Sequence, residues 1–175
     1  MAEKTDVTIR KQAQERTLKH IVGVADMKIS RNGADVLVTH ALGSCLGIVA
    51  HDLAASVGGL FHVMLPSASV NPPKAEKNPY MFVDTGLPQF FRELYAAGAN
   101  KGRLVVKVAG GAQIRDKNDF FAIGKRNYVA MRKLFWKNGF MIAGEDVGGS
   151  VSRTMYLDVG SGRVWINSCG EEKGL

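Results

Sequence analysis

The stretch LGIVAHDLAASVGGLFHVM, residues 46–64, decides the fold of this chain. Its two ends, 46–50 and 57–64, are rich in β-branched and other apolar residues, whereas the middle is short and contains polar and small residues. That pattern predicts two strands joined by a hairpin loop over residues 51–56. Because a hairpin of this length pairs its strands side by side, residues near its open end are expected to lie close together.

Patterns on either side of the hairpin predict further strands and two helices. Apolar runs predict strands at 21–24, 36–39, 104–108, 140–143, 155–159 and 163–167. Helical spacing predicts a helix that is capped by Asp84 or Thr85 and ends at Gly98. Pro88 is expected in its first turn, and a second helix is expected over 125–137. The sum predicts one mixed α/β domain.

Three segments outside these elements differ in composition from the rest of the chain. Residues 1–19 are polar and charged and are expected to form a mobile tail. Residues 171–175 are expected to form a short C-terminal tail, which leaves 20–170 as the domain. The segment 67–79 carries serines, lysines and the adjacent pair Pro72–Pro73. We predict that these prolines exclude regular structure, so that the segment forms a flexible rim or lid of a site.

Composition narrows the functional classes. The chain has 175 residues, of which 46% are hydrophobic and 22% are charged. These values are ordinary for a globular domain with a sizeable core. No apolar run is long enough to span a bilayer or to serve as a signal peptide, so a cytoplasmic protein is expected.

The formal net charge of +7 is concentrated between residues 101 and 137. That stretch holds ten Lys or Arg residues against Asp116 and Asp119. Such an excess either attracts an acidic partner or is an ordinary solvated surface. The partner could be an acidic protein, a nucleic acid or an anionic surface. Nucleic acid is the least favoured of these, because the aromatic residues of the stretch lie among apolar ones, as in a core.

Cys45 lies in the segment Gly43-Ser44-Cys45-Leu46-Gly47, whose glycines give a substrate room to approach the thiol. A lone cysteine is more often a small buried hydrophobe, but a nearby base makes it a nucleophile. The segment is similar to the nucleophile elbow of α/β-hydrolases, in which the histidine comes late in the chain. No histidine follows His62 here, which excludes that fold and leaves His62 as the leading base.

Other roles for these side chains stay open on sequence alone. Cys45 and Cys169 could form a disulfide, because their spacing does not exclude one. Zinc is disfavoured, because neither cysteine has a second cysteine at ligand spacing, and we expect neither a metal nor a cofactor. Thr39 ends a predicted strand and could hydrogen-bond His62, but by spacing alone it is an ordinary strand residue.

Five motifs together resemble one family, and they occur in order between about residues 21 and 167. They are VTHALGSCLG (38–47), GGLFHVMLP (58–66), KVAGGA (107–112), IGKRN (123–127) and GEDVGG (144–149). The combination is similar to the chemoreceptor glutamine deamidases of the CheD family. This resemblance implies a layered α/β sandwich of mostly antiparallel strands with flanking helices, related to the deamidase domain of cytotoxic necrotizing factor toxins.

The same resemblance implies a catalytic triad of Cys45, His62 and Thr39, which would convert a receptor glutamine to glutamate through a thioester on the cysteine. The expected oxyanion and substrate-cleft residues are Gly43, Ser44, Gly110 and Gly111. The implied partners are chemoreceptor cytoplasmic regions, whereas nucleic acid and membrane insertion are not expected. Two alternatives remain: a binding partner that stimulates a CheC-type response-regulator phosphatase, and a receptor methyl esterase that uses the same cysteine.

Overall fold

The computed structural model describes residues 18–113 and 122–175. Within these ranges the chain forms ten strands and three α-helices. The strands are β1 Leu18–Ile21, β2 Asp26–Ser30, β3 Asp35–Leu42, β4 Leu46–Asp52, β5 Val57–Val63, β6 Val105–Gly110, β7 Ile142–Val147, β8 Arg153–Asp158, β9 Val164–Ser168 and β10 Glu171–Gly174. The helices are α1 Pro72–Lys77, α2 Val83–Ala96 and α3 Ile123–Lys137.

The strands form two five-stranded sheets. Sheet I has the order β1-β3-β8-β9-β10, and sheet II has the order β2-β5-β4-β6-β7. The β1–β3 and β6–β7 pairs are parallel, and the other neighbours in both sheets are antiparallel. The predicted class, a mixed α/β sandwich of mostly antiparallel strands with flanking helices, is confirmed.

Two apolar clusters define the layers of the molecule. One cluster joins the two sheets through side chains such as Leu37, Leu60 and Leu157. The other joins sheet II to α2 and α3 and includes Phe61 and Phe90. Successive side chains of a strand point to opposite faces. Strand β5 therefore directs Phe61 towards the helices, and it directs Leu60 and His62 towards sheet I.

The hairpin predicted from residues 46–64 is the centre of sheet II. Strands β4 and β5 pair in antiparallel register, with Gly47 opposite His62. The loop is shorter than predicted, because β4 continues to Asp52. The Asp52 carboxylate is fully buried there and lies 2.8 Å from Nη2 of Arg103. Hydrogen bonds from that guanidinium lower the pKa of Asp52 to about 2, so the buried carboxylate is paired and charged.

The prediction that Pro72–Pro73 excludes regular structure is wrong. Both prolines lie in the first turn of α1, and the Asn71 side chain caps this turn by accepting a hydrogen bond from the Lys74 N–H. First-turn N–H groups have no partner inside a helix, so proline loses nothing there and its fixed φ suits the helix. The segment that follows β5 is therefore short helical turns, with 3₁₀ helices at Ala68–Val70 and Pro79–Met81.

Helix α2 begins earlier than predicted, because its cap lies two residues before Asp84. Phe82 occupies the N-cap position and supplies no side-chain hydrogen bond, and Pro88 lies inside the helix rather than in its first turn. Asp84 instead accepts a hydrogen bond from the Ala68 N–H at 2.8 Å, which ties the helix to the preceding turn. The predicted C-terminal end is confirmed, because Gly98 follows the cap in the left-handed region with φ 105°.

Both ends of the described chain form strands. Most of the predicted tail, residues 1–19, lies outside the described residues, although Leu18 and Lys19 belong to β1. Residues 171–174 form β10, which pairs with β9. Strand β2 was not predicted, because its sequence, DMKIS, lacks a run of strand-forming residues. Within the described ranges, no helix is both long enough and apolar enough to cross a membrane.

Candidate active site

Thr39 and His62 meet in the layer between the two sheets. Both residues are fully buried, and Oγ1 of Thr39 lies 2.7 Å from Nδ1 of His62. The threonine hydroxyl donates its one proton to the Val22 carbonyl at 2.8 Å. Oγ1 must therefore accept the hydrogen bond from His62, which places the imidazole proton on Nδ1 and leaves a lone pair on Nε2.

The other ring nitrogen of His62 is poised as a base. Nε2 is buried and has no hydrogen-bond partner among the described residues. Burial lowers the pKa of His62 to about 4, so the ring is neutral near pH 7. A neutral imidazole with a fixed tautomer and an unengaged lone pair can take a proton from a thiol.

Cys45 lies at the open end of the hairpin, immediately before β4. Gly47 is opposite His62, and Cys45, just outside the paired strand, packs with the apolar cluster on the face of the sheet to which His62 points. A Cβ on Gly47 would come within 2.7 Å of Cδ1 of Leu42, so glycine leaves the room between strand and sheet I that this site needs.

The Cys45 thiol is half-buried and packs against the apolar cluster between the sheets. Burial raises the pKa of Cys45, and a hydrogen bond from its own backbone N–H offsets only part of this effect. Both side chains are therefore uncharged in the resting site, and the Cys45 thiol makes no hydrogen bond to Nε2 of His62. Both cysteines are free, and Cys169 is exposed, so the disulfide left open by the sequence is not formed.

The Gly110–Gly111 segment holds the loop that carries Cys45. The Gly111 N–H donates to the Cys45 carbonyl at 2.8 Å, and the Ala112 N–H donates to the Gly43 carbonyl at 2.8 Å. Gly110 has φ 109°, and a Cβ there would collide with the Cys45 carbonyl oxygen. Of the predicted cleft residues, Gly110 and Gly111 thus brace the loop that carries Cys45, and the Gly111 amide already donates a hydrogen bond to that loop.

The N–H groups of Ser44 and Cys45 remain as donors beside the thiol. Neither takes part in the backbone hydrogen bonds that fix the described part of this loop. Backbone N–H groups next to a nucleophile are suited to bind the oxygen of a tetrahedral intermediate. The loop can therefore supply both a thiol nucleophile and the hydrogen-bond donors for an oxyanion.

A buried arginine supports the same segment from sheet I. Arg153 lies 2.7 Å from the Asp146 carboxylate and donates to the Gly148 carbonyl at 2.9 Å. The Gly148 N–H in turn donates to the Gly110 carbonyl at 2.9 Å. Burial acts to raise the pKa of Asp146, but hydrogen bonds from Lys173 and Arg153 outweigh it and lower the pKa. Sequence reasoning gave these charged residues no role, although Asp146 and Gly148 lie in a quoted motif.

The other three histidines lie elsewhere. His51 is buried and bonds the Val159 carbonyl at 3.0 Å. His40 is exposed beside Thr154, and His20 lies 3.1 Å from Asp35. None of the described residues forms a cluster of three or more His, Cys, Asp or Glu that could hold a metal ion.

The basic stretch divides into engaged and solvent-facing residues. Arg103 pairs with the buried Asp52, and the Lys107 ammonium donates to the Leu175 carbonyl. Lys125, Arg126 and Lys133 instead line a shallow groove on the exposed side of α3, together with Val129, Ala130, Pro66 and Ser67. Arg115, Asp116, Lys117 and Asp119 lie outside the described residues.

Comparison with known proteins identifies the family of this chain. A family model described as "CheD chemotactic sensory transduction" matches residues 64–168. A protein of Solibacter usitatus, named "Probable chemoreceptor glutamine deamidase CheD", is 48% identical over 155 residues, 89% of this chain and 92% of its own length. The chain belongs to the CheD family. A CheD relative of Syntrophus aciditrophicus is 47% identical over 86% of this chain and 94% of its own length.

The matches differ in whether they cover Thr39, Cys45 and His62. The family model begins after His62, whereas the Solibacter match spans 155 of the 175 residues and so must include the segment from Thr39 to His62. A solved structure, a Neisseria meningitidis protein of the DUF152 family model, aligns with a TM-score of 0.45 at 9% identity and covers 83% of this chain and 67% of its own. At that score the likeness carries no argument about function.

Proposed function

We propose that this chain is a protein-glutamine deamidase that converts glutamine side chains of chemoreceptors to glutamate. The relatives are named for this reaction. The observation that carries the proposal is the 2.7 Å contact from Thr39 to Nδ1 of His62, which leaves Nε2 as an unengaged base on the face of the sheet where Cys45 lies. That is the arrangement a neutral thiol needs in order to be activated at the moment of attack.

The first half of the reaction forms a thioester. Nε2 of His62 takes the proton from Cys45, and the sulfur attacks the carbon of the glutamine side-chain amide. The oxygen of that amide becomes an oxyanion, which the N–H groups of Ser44 and Cys45 stabilise. The intermediate then collapses: the C–N bond breaks, the imidazolium gives its proton to the nitrogen, and ammonia leaves.

The second half hydrolyses the thioester. His62, neutral again, takes a proton from a water molecule that attacks the thioester carbon. The C–S bond breaks, the sulfur recovers its proton through His62, and glutamate is released. Thr39 accepts the Nδ1–H bond throughout, so the ring keeps one orientation in both halves.

The groove on α3 is the proposed contact for an acidic receptor surface. Its cations, Lys125, Arg126 and Lys133, lie beside Pro66 and Ser67, which follow the strand that carries His62. We expect Lys125→Glu with Lys133→Glu to weaken binding of a receptor cytoplasmic fragment and to flatten its salt dependence. The control is Lys19→Glu with Lys28→Glu, exposed on β1 and β2. Equal binding and equal salt dependence in both pairs would remove this role.

Mass spectrometry of a receptor cytoplasmic fragment tests the proposed activity. Deamidation exchanges an amide nitrogen for oxygen at a glutamine, whereas methyl-ester hydrolysis removes the mass of a methylene at a glutamate. The proposal requires the first change with the wild type and its absence with Cys45→Ala. Loss of a methylene alone would make the enzyme a methyl esterase. If a fragment binds the protein but shows neither mass change, a role as a binding partner would be favoured.

A further inference from the structure

Asn127 lies at the centre of the site although sequence reasoning assigned it no function. It belongs to α3 and is fully buried. Its Nδ2 donates to the Ser44 carbonyl at 3.0 Å and to the Met64 carbonyl at 2.9 Å. Both partners are acceptors, so only the NH₂ group of the amide can face them, and the orientation of the side chain is fixed by chemistry.

We propose that Asn127 is a positioning residue that aims the backbone N–H of Cys45 at the oxyanion. The proposal rests on the cysteine mechanism described above. In a trans peptide the C=O of one residue and the N–H of the next point in opposite directions in one plane, and the described residues contain no cis peptide bond. A Ser44 carbonyl held towards α3 therefore turns the Cys45 N–H away from α3.

The direction of that N–H agrees with an oxyanion role. The side away from α3 is the face of sheet II that packs on sheet I, and His62 points to that face, so the Cys45 N–H points to the side that carries the base. On the other side of the residue the Cys45 carbonyl is held by the Gly111 N–H at 2.8 Å. The two peptide groups that flank Cys45 are thus fixed independently, one by a side chain and one by the backbone.

The second hydrogen bond of Asn127, to the Met64 carbonyl, connects the loop to the end of β5. Met64 comes two residues after His62 and immediately follows β5. One amide group therefore joins the end of the strand that carries the base to the loop that carries the nucleophile. Close to it, Gly124 packs against Gly111, where a Cβ would come within 2.5 Å of the Gly111 carbonyl oxygen. The first turn of α3 is seated directly on the nucleophile loop.

The two polar groups of the Asn127 side chain are in different situations. Oδ1 of Asn127 is buried and has no hydrogen-bond partner among the described residues. An unpaired buried acceptor is unfavourable; an apolar side chain of similar size would avoid it but would leave the Ser44 and Met64 carbonyls without this donor. An asparagine at this position makes sense if the two hydrogen bonds from Nδ2 are what the site requires.

The test compares two reactions of Cys45 that differ in their need for an oxyanion donor. Acylation by p-nitrophenyl acetate passes through a tetrahedral oxyanion, whereas alkylation by iodoacetamide is a displacement at a saturated carbon and forms none. For Asn127→Ala we expect the acylation rate to fall at least about tenfold, because removal of one such donor lowers rates by about 10²–10³-fold. The alkylation rate and its pH profile should stay within about twofold.

Asn138→Ala is the matched control, because the Asn138 side chain also donates to a backbone carbonyl, that of Leu134, but at the far end of α3. Asn127→Leu, which fills the same space without donors, repeats the test if the alanine variant does not fold. A parallel fall in both reactions would show that Asn127 only holds the fold, and an unchanged acylation rate would also overturn the proposal. Because neither reagent is a glutamine, the outcome does not depend on whether the wild type deamidates a receptor.

Discussion

The Thr39 hydroxyl joins the two sheets at the site, because Oγ1 on β3 of sheet I lies 2.7 Å from Nδ1 of His62 on β5 of sheet II. The same oxygen gives its proton to the Val22 carbonyl. The backbone of sheet I therefore sets the tautomer of a base that belongs to sheet II. A β-bulge follows at once, because the β3–β8 register shifts between Thr39 and Leu42.

Thr39→Val should lower kcat for deamidation about 10- to 100-fold, because the Nδ1–H of His62 loses its acceptor and the ring loses its fixed tautomer. KM should change little, since Thr39 is buried and does not face substrate. Thr39→Ser retains the hydroxyl and is the matched control, with activity within a few-fold of wild type. Steady-state kinetics decide the matter, and equal activity of the valine and serine variants would refute this role.

The stability of the protein should depend on pH through His62. Its pKa is lowered from 6.5 to about 4 in the folded state, so the unfolded chain binds the proton first as the pH falls. The contribution is fully present above pH 6.5 and is lost as the pH falls through about 4. The difference between the two pKa values corresponds to about 3 kcal/mol.

Urea unfolding of the wild type and of His62→Gln between pH 7 and 4 measures this contribution. The wild type should lose more stability than the glutamine variant over that window, by up to about 3 kcal/mol. His40→Gln, at an exposed site, serves as the control and should follow the wild type. Superimposable pH curves for wild type and His62→Gln would mean that His62 is not buried as a neutral ring.

Alkylation of Cys45 by iodoacetamide should still accelerate above pH 9, because burial raises the pKa of this thiol above its ordinary value of 9.0. Mass spectrometry of tryptic peptides gives the rate at each pH, with Cys169 as an exposed internal reference. A Cys45 rate that reaches its plateau below pH 8 would indicate a resting thiolate–imidazolium pair instead.

Gly110→Ala should destabilise the protein by about 1–3 kcal/mol or more, because the position has φ 109° and a Cβ would collide with the Cys45 carbonyl. It should also lower activity by displacing the nucleophile loop. Gly23→Ala is the control, since a Cβ there meets no atom within 4 Å. Thermal unfolding and kinetics should separate the two variants, and matching melting temperatures would contradict the brace assigned to Gly110.

Sequence patterns predicted the parts of this molecule that depend on local order. The hairpin of residues 46–64 follows from alternating apolar runs around a short loop, and the register it implies brings Cys45 and His62 to one face. The end of α2 just before Gly98 was predictable, because a position with positive φ favours glycine. Pro72–Pro73 misled, because a proline pair also fits the first turn of a helix.

Properties that depend on burial could not be read from the sequence. The pKa directions of Cys45 and His62 come from tertiary packing, which no spacing reveals. By spacing alone Thr39 is an ordinary strand residue; the family resemblance implied its role, and the structure places its hydroxyl against the His62 ring. Asn127 lies 82 residues after Cys45, and it contacts the Cys45 loop through a backbone carbonyl. A hydrogen bond to a carbonyl leaves no pattern in the sequence. The position of Asn127 in the 123–127 motif was the one sequence feature that pointed to it.

The most direct test of the account is to capture the covalent intermediate. Wild-type enzyme mixed with a receptor cytoplasmic fragment and quenched in acid during turnover should carry the fragment, less ammonia, as a thioester on Cys45. Cys169→Ala should behave the same, and Cys45→Ala should show neither the adduct nor deamidation. Persistent deamidation by Cys45→Ala, or an adduct that maps to Cys169, would contradict the assignment of Cys45 as the nucleophile.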